Sequence, residues 1–243
     1  MSTTGAYALL VGLGFLPSLI WLAYWLRKDS HPEPKILITK VLLLGIILSP
    51  IAIVAQLLFA QYAARVLGIP LSVFTDSPWF FLWAALVEEL VKWSAVYAIV
   101  IRNPEFDEPV DAMIYMLTAA LGFAAMENIL VISRVFPGDI GATAGIWGLR
   151  FAGATLLHAL SSALLGYFIA LGWFHFGHRR TLFWAGVVMA TLFHWTFNLF
   201  ISQMQQSVSL LFSTVLLMAM AFLISTLFDK LKERNPHLHP SIA

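Results

Sequence analysis

Seven long apolar runs separated by short polar stretches set the pattern of this chain: 6–26, 41–64, 79–101, 110–132, 151–174, 181–201 and 207–228. Each has the roughly 17–25 residues that a helix needs to cross about 30 Å of hydrocarbon. The short alternating segments that a transmembrane barrel requires are missing. The pattern therefore predicts an all-α, polytopic transmembrane bundle of about seven helices, a single domain over 1–243 with a frayed tail from about 230. The stretches between runs carry ordinary turn residues: HPEP at 31–34, GIP at 68–70, the acidic RNPEFDEP at 102–109 and the Gly-rich PGDIGATAGIWG at 137–148. We read all of them as loops, and 66–78 and 138–148 as plain connectors in preference to an external lid.

Composition agrees with this reading. The chain is 60% hydrophobic and 11% charged, against about 45–50% and about 25% in ordinary domains. A net charge of +1 gives no electrostatic case for a nucleic-acid partner, and the absence of cysteine removes disulfides, thiolate nucleophiles and cysteine metal ligands. The first run has no basic stretch before it and is followed by Arg27 and Lys28, so it reads as a span and not as a cleavable signal peptide. Basic residues after a first span hold that end in the cytoplasm, which predicts the N-terminus outside and the C-terminus inside. Arg27, Lys28, Lys35, Lys40, Arg102, Arg179, Arg180, Lys230, Lys232 and Arg234 then fall on the cytoplasmic side, and only Arg65, Arg134 and Arg150 on the external side. Lys92 lies inside a span. The expected location is a cell membrane.

Against this background the polar residues inside the runs stand out. Glu88, Glu89 and Lys92 lie in the third run, Glu127 and Asn128 in the fourth, His158 in the fifth, His194 and Asn198 in the sixth. Charged side chains near mid-membrane cost about 2.5–3.5 kcal/mol each on insertion scales and mark function by default. With alternating helix directions and about 1.5 Å per residue, Glu88, Glu127, His158 and His194 fall in one layer of the outer half of the bilayer. His194 recurs at four-residue spacing with Gly186, Ala190 and Asn198, and His158 with Ser162, Gly166 and Ala170. Small residues at this spacing let helices approach closely, which turns both histidines inward. Glu88 and Lys92 share a face at i,i+4, and Glu89 points about 100° away. Taken singly, each residue has a plainer explanation: an ion pair that only fixes packing for Glu88, a packing acid for Glu127, a satisfied core histidine for His158 or His194. Their coincidence in depth and face is what those explanations leave out. Ser161 and Ser162 read as packing residues, and His237 and His239 as part of a solvated tail.

Two carboxylates and two imidazoles in a dry pocket suit the activation of water, with a glutamate as general base and a histidine or asparagine stabilising the oxyanion. The same donors suit Zn²⁺, but no HExxH occurs, so no cofactor is expected. An aspartyl mechanism would need two intramembrane aspartates.

Taken in order, WLRKDSHPEPK after the first run, EELVK (88–92), GFAAMEN (122–128), His158 with SSALLGY, and HWTFN (194–198) resemble the PrsW family of glutamic-type intramembrane proteases. That family is similar to CAAX prenyl endopeptidases, ABI proteins and the gamma-secretase scaffold subunit; the glutamate in FAAMEN, where the CAAX branch has histidine, favours PrsW. The resemblance implies an intramembrane endopeptidase, independent of metal, in which Glu88 activates water. Glu127, His158 and His194 complete the site, supported by Glu89, Lys92, Asn128 and Asn198. It implies a single-span, anti-sigma-factor-like substrate within the lipid bilayer. The alternatives are a non-catalytic membrane scaffold, which need not keep these residues together, and a proton-coupled carrier, which would use them as relays.

Overall fold

The computed structural model describes residues 3–233, and all regular structure among them is helical. The helices are α1 (Thr3–Leu26), α2 (Lys35–Leu67), α3 (Leu71–Thr75), α4 (Pro78–Ile99), α5 (Pro109–Ile132), α6 (Ile140–Leu149), α7 (Thr155–Ala170), α8 (Arg179–Gln203) and α9 (Gln206–Glu233). π-helical turns at Arg150–Ala154 and Leu171–His175 join α6 to α7 and extend α7, so 140–175 is one continuous rod.

Helix starts and stops follow local chemistry. Prolines at the head of α4 and α5 occupy positions whose N–H would be unpaired anyway. Ser77 caps α4 by accepting a hydrogen bond from the Phe80 N–H at 3.3 Å, and α2 stops where Gly68 takes φ 66°, a conformation that glycine adopts without strain. The expected spans are all helical. Six of the rods are long and apolar enough to cross a membrane; α4, with three charged residues in its middle, owes its place to its neighbours.

Those neighbours form a ring. α5 packs on α7, α7 on α8, α8 on α4, α4 on α2, and α2 on α5, with α1 and α9 outside. α5 is the interior helix, buried at every residue from Pro109 to Ala125, while α9 turns Met218 and Phe222 outward. Glycines set the closest approaches: a Cβ on Gly45 would run into the Ala119 carbonyl, one on Gly122 into the Leu42 carbonyl, and one on Gly166 into the Ala112 backbone. In lipid, tight contact of this kind supplies much of the helix association.

Two expectations need correcting. The Gly-rich 137–148 stretch is mostly helix, α6, started by Asp139, whose side chain accepts from the Ala142 N–H at 2.8 Å; within the 66–78 connector lies the short α3. α9 continues to Glu233, and Lys232 donates to the Lys28 carbonyl at 2.7 Å. Arg234, His237 and His239 lie outside the described residues.

Candidate active site

The ring encloses one polar cluster. From α4 come Glu88, Glu89 and Lys92, from α5 Glu127 and Asn128, from α7 His158, Ser161 and Ser162, and from α8 His194. Glu89 and Lys92 are fully buried, and Glu88, His158 and His194 are nearly so. Buried charges persist when paired and hydrogen-bonded, and most of these are.

Glu89 is saturated. Its carboxylate accepts from Lys92 Nζ at 2.8 Å, Ser161 Oγ at 3.0 Å, Ser162 Oγ at 2.7 Å and His194 Nδ1 at 3.0 Å. Both serine hydroxyls donate to Glu89, and Ser161 Oγ also lies 3.2 Å from the His158 carbonyl. Glu89, about 100° from Glu88 around α4, still lies in the cluster, because α7 and α8 both reach its side of α4.

His158 Nε2 lies 2.9 Å from Glu127 Oε2, and Lys92 Nζ donates to His158 Nδ1 at 2.9 Å. A lysine has no acceptor, so Nδ1 carries the lone pair and Nε2 the proton that Glu127 accepts. By the same logic Glu89 takes the His194 Nδ1 proton and leaves the Nε2 lone pair directed at Glu88. Each imidazole is thus oriented by its own carboxylate, the arrangement that fixes tautomers in catalytic and metal sites. Arg150, at the π-turn, donates from Nη2 to Glu127 Oε2 at 3.1 Å and from Nε to the Asn128 amide oxygen. Asn128 in turn donates to Thr155 Oγ1 at 3.1 Å and to the Gly14 carbonyl at 3.2 Å, tying α1 to the cluster.

Glu88 differs from its neighbour. Oε1 accepts from Gln56 Nε2 of α2 at 3.1 Å. Oε2 is buried with no hydrogen-bond partner, although His194 Nε2 lies 3.5 Å away, His158 Nδ1 3.7 Å and Lys92 Nζ 3.8 Å. Two oriented imidazoles and an ammonium therefore converge on one carboxylate oxygen that has made no hydrogen bond.

That convergence bears on metal binding. Donor atoms of Glu88, His158 and His194 all lie within 4.8 Å of one another. Ligand atoms around a tetrahedral Zn²⁺ with bonds of about 2.0–2.1 Å stand roughly 3.4 Å apart, close to the separations at Glu88 Oε2. Three protein donors are also what a catalytic zinc uses. The donor set fits such an ion provided Lys92 gives up His158 Nδ1.

The structure brings together seven of the eight residues singled out from sequence. The exception is Asn198: one turn from His194, its side chain forms no hydrogen bond among the described residues. Gln56 and Arg150 were missed. Gln56 carried a signal, an amide inside an apolar run; Arg150 sits at the edge of a run and reads as a loop cation.

Comparison with known proteins decides the family. The PrsW family model, described as an intramembrane metalloprotease family, matches residues 33–226. The chain belongs to the PrsW family. Protease PrsW of Geobacillus kaustophilus is 32% identical over 195 residues, 78% of each chain. Protease PrsW of Oceanobacillus iheyensis is 29% identical over 191 residues, 78% of this chain and 81% of the relative, and that of Bacillus subtilis 26% with the same coverage. No solved structure matches. The chain is accordingly an intramembrane protease, a hydrolase, and an integral multi-pass protein of a bacterial membrane. The expectation of a site without metal gains no support: the family is described as metalloproteases, and a buried Glu–His–His group is present.

Proposed function

We propose that this protein is an endopeptidase that hydrolyses a peptide bond in a single-span, anti-sigma-factor-like membrane protein, with Glu88 as the base that activates the attacking water. The observation that carries the reading is the unpartnered, buried Oε2 of Glu88 facing two imidazoles and Lys92. Glu88 takes a proton from water at Oε2, and Gln56, bonded to Oε1, holds the carboxylate in place. The hydroxide adds to the scissile carbonyl. The Lys92 ammonium is the donor within reach of the oxyanion that forms. Collapse of the tetrahedral adduct expels the amine, which receives the proton from Glu88. Glu127 and Glu89 hold His158 and His194 in their tautomers; Arg150 and Lys92 balance the three carboxylates.

With the N-terminus outside, the cluster lies in the outer half of the bilayer, and the substrate enters sideways from lipid. Its scissile segment must unwind first, because helical amides are bonded internally.

A second reading is favoured by the Glu88–His158–His194 grouping and the family's description. Held by those three residues, Zn²⁺ would lower the pKa of a bound water and polarise the carbonyl. Glu127 and Glu89 would then orient its histidine ligands, and Lys92 would turn to Glu89 alone.

The test is cleavage of a single-span substrate by the chain reconstituted in lipid vesicles, as wild type and as Glu88→Gln, with and without a zinc chelator. Loss of activity in the variant with chelator-resistant wild type supports the metal-free route. Chelator inhibition reversed by Zn²⁺ supports the second. Full activity of the variant overturns both.

A further inference from the structure

Three surface hollows lie along the bundle's flanks. One, between α8 and α9 around Met189, Phe193 and Leu223, is walled almost entirely by hydrocarbon, and so is another between α2 and α4 around Phe59, Trp79 and Trp83. Acyl chains suit both. The third, of about 470 Å³, lies between the Arg150–Ala154 π-turn, the C-terminal end of α8 and the start of α9, within the range of about 300–1,000 Å³ usual for ligand sites. Its lining is different in kind. Arg150 forms one wall, Phe197 and Leu217 give apolar floor, and Gln206, Ser209 and Thr214 face it from α9.

Two features tie this cavity to the catalytic cluster. Arg150 lines it and at the same time bonds Glu127 and Asn128, so a group seated there lies one side chain from the His158–Glu127 pair. The walls are also continuous with the catalytic helices: Ala154 is one turn before His158, and Phe197 nearly one turn after His194. Ser213 of the lining bonds back to carbonyls of α9, but the other polar groups are largely unspent. Gln206, Ser209 and Thr214 make no side-chain hydrogen bond among the described residues, and Arg150 uses only Nε and Nη2. Acyl chains offer nothing to such groups. An unwound peptide does, because its own N–H and C=O groups lose their helical partners and need new ones in lipid.

We infer that this cavity is the substrate subsite, holding the unwound stretch of the substrate's membrane segment next to the scissile bond. Phe197 and Leu217 take an apolar side chain, and Gln206, Ser209, Thr214 and Arg150 take up the freed backbone groups. The inference rests on the protease reading and adds to it the route of entry, between the π-turn and α9.

Because the chain has no cysteine, a single introduced one is specific. The probe is a leucine–alanine transmembrane peptide of about 25 residues, interrupted by Gly-Gly and carrying one cysteine beside the glycines. It is reconstituted in phosphatidylcholine vesicles with Glu88→Gln protein that also carries Thr214→Cys or, on the lower part of α9, Leu223→Cys. Docking raises local concentration to the millimolar range, so oxidation should join the peptide to position 214 at least about tenfold more than to position 223. The same peptide without Gly-Gly should lose that preference. Equal joining at both positions, preference for 223, or no joining at either overturns the subsite. The inactive background separates this from the mechanism, which stands or falls on the cleavage rate of Glu88→Gln alone. A second measurement on active protein is Thr214→Trp, which should raise KM several-fold with little change in kcat; unchanged KM counts against the cavity.

Discussion

The two ends of α5 hold acids in opposite ways. Near its C-terminal end Glu127 meets Arg150 and His158, and through them the Glu88–Glu89–Lys92 group, so that carboxylates face cations and imidazoles. Sixteen residues earlier, about 24 Å along the helix, Asp111 belongs to a cluster at the α1–α2 and α4–α5 connections where acids face one another. Tyr115 donates to Glu33, His31 Nδ1 lies 3.0 Å from Glu108, the Glu108 N–H donates to Asp111 at 2.8 Å, and the His31 N–H donates to Asp29 at 3.1 Å. The buried Asp29 Oδ2 and Asp111 Oδ1 have no hydrogen-bond partner. Burial pushes the Asp29 and Glu33 carboxyls above their ordinary range, and neighbouring acids push further. On the proposed mechanism the first cluster keeps one carboxylate reactive by surrounding it with compensating charge, whereas the second holds its acids as carboxyls of raised pKa and with backbone amides.

The sharpest way to break this comparison is to unbalance the catalytic end. Lys92→Met leaves Glu89 buried without its cation and should cost about 3–5 kcal/mol. Thermal unfolding in detergent should register a large drop in Tm, and a Tm equal to wild type would mean that the cluster is not held by charge pairing. Arg150→Met is expected to act more mildly, because Glu127 keeps His158. Cleavage should fall about tenfold, equivalent to roughly 1.4 kcal/mol, with Tm nearly unchanged; wild-type cleavage would detach Arg150 from the site.

The smallest effect belongs to the other end. A carboxyl whose pKa is raised on folding stabilises the fold below its ordinary pKa and loses that contribution as pH rises through the raised value. Glu33→Gln fixes the neutral form, so it should match wild type near pH 4 and exceed it by about 2–4 °C in Tm at pH 8. A variant less stable than wild type at pH 8 would show Glu33 to be stabilising as an anion.

Much of this was legible in the sequence because lipid enforces it. A helix must be apolar for some 20 residues to span, which exposes the seven rods, and a charge inside such a run is costly enough to stand out, which exposes Glu88, Glu89, Lys92, Glu127, His158 and His194. What escaped depends on the geometry between rods. Arg150 reads as a loop cation because it ends an apolar run, yet 140–175 is continuous and the π-turn carries the guanidinium back to Glu127. α6 was read as loop because it is rich in glycine, but Asp139 supplies the N-cap that starts it. Helical phase separates Glu88 from Glu89 by about 100°, which gives the two acids different surroundings; which partners each meets depends on the ring of helices and is not legible in one run.

The contrast between those adjacent acids is where the account is most exposed. Glu88→Gln and Glu89→Gln, purified and reconstituted side by side, can each be measured for cleavage of one single-span substrate and for Tm. Glu88→Gln should lose about 10²–10⁴-fold in rate with a much smaller change in Tm than Glu89→Gln, because Glu88 Oε2 has no hydrogen bond to lose and its nearest cation, Lys92, stands 3.8 Å away; Glu89→Gln should lose Tm as well as rate. Wild-type cleavage by a folded Glu88→Gln protein would contradict the assignment of Glu88 as the water-activating base.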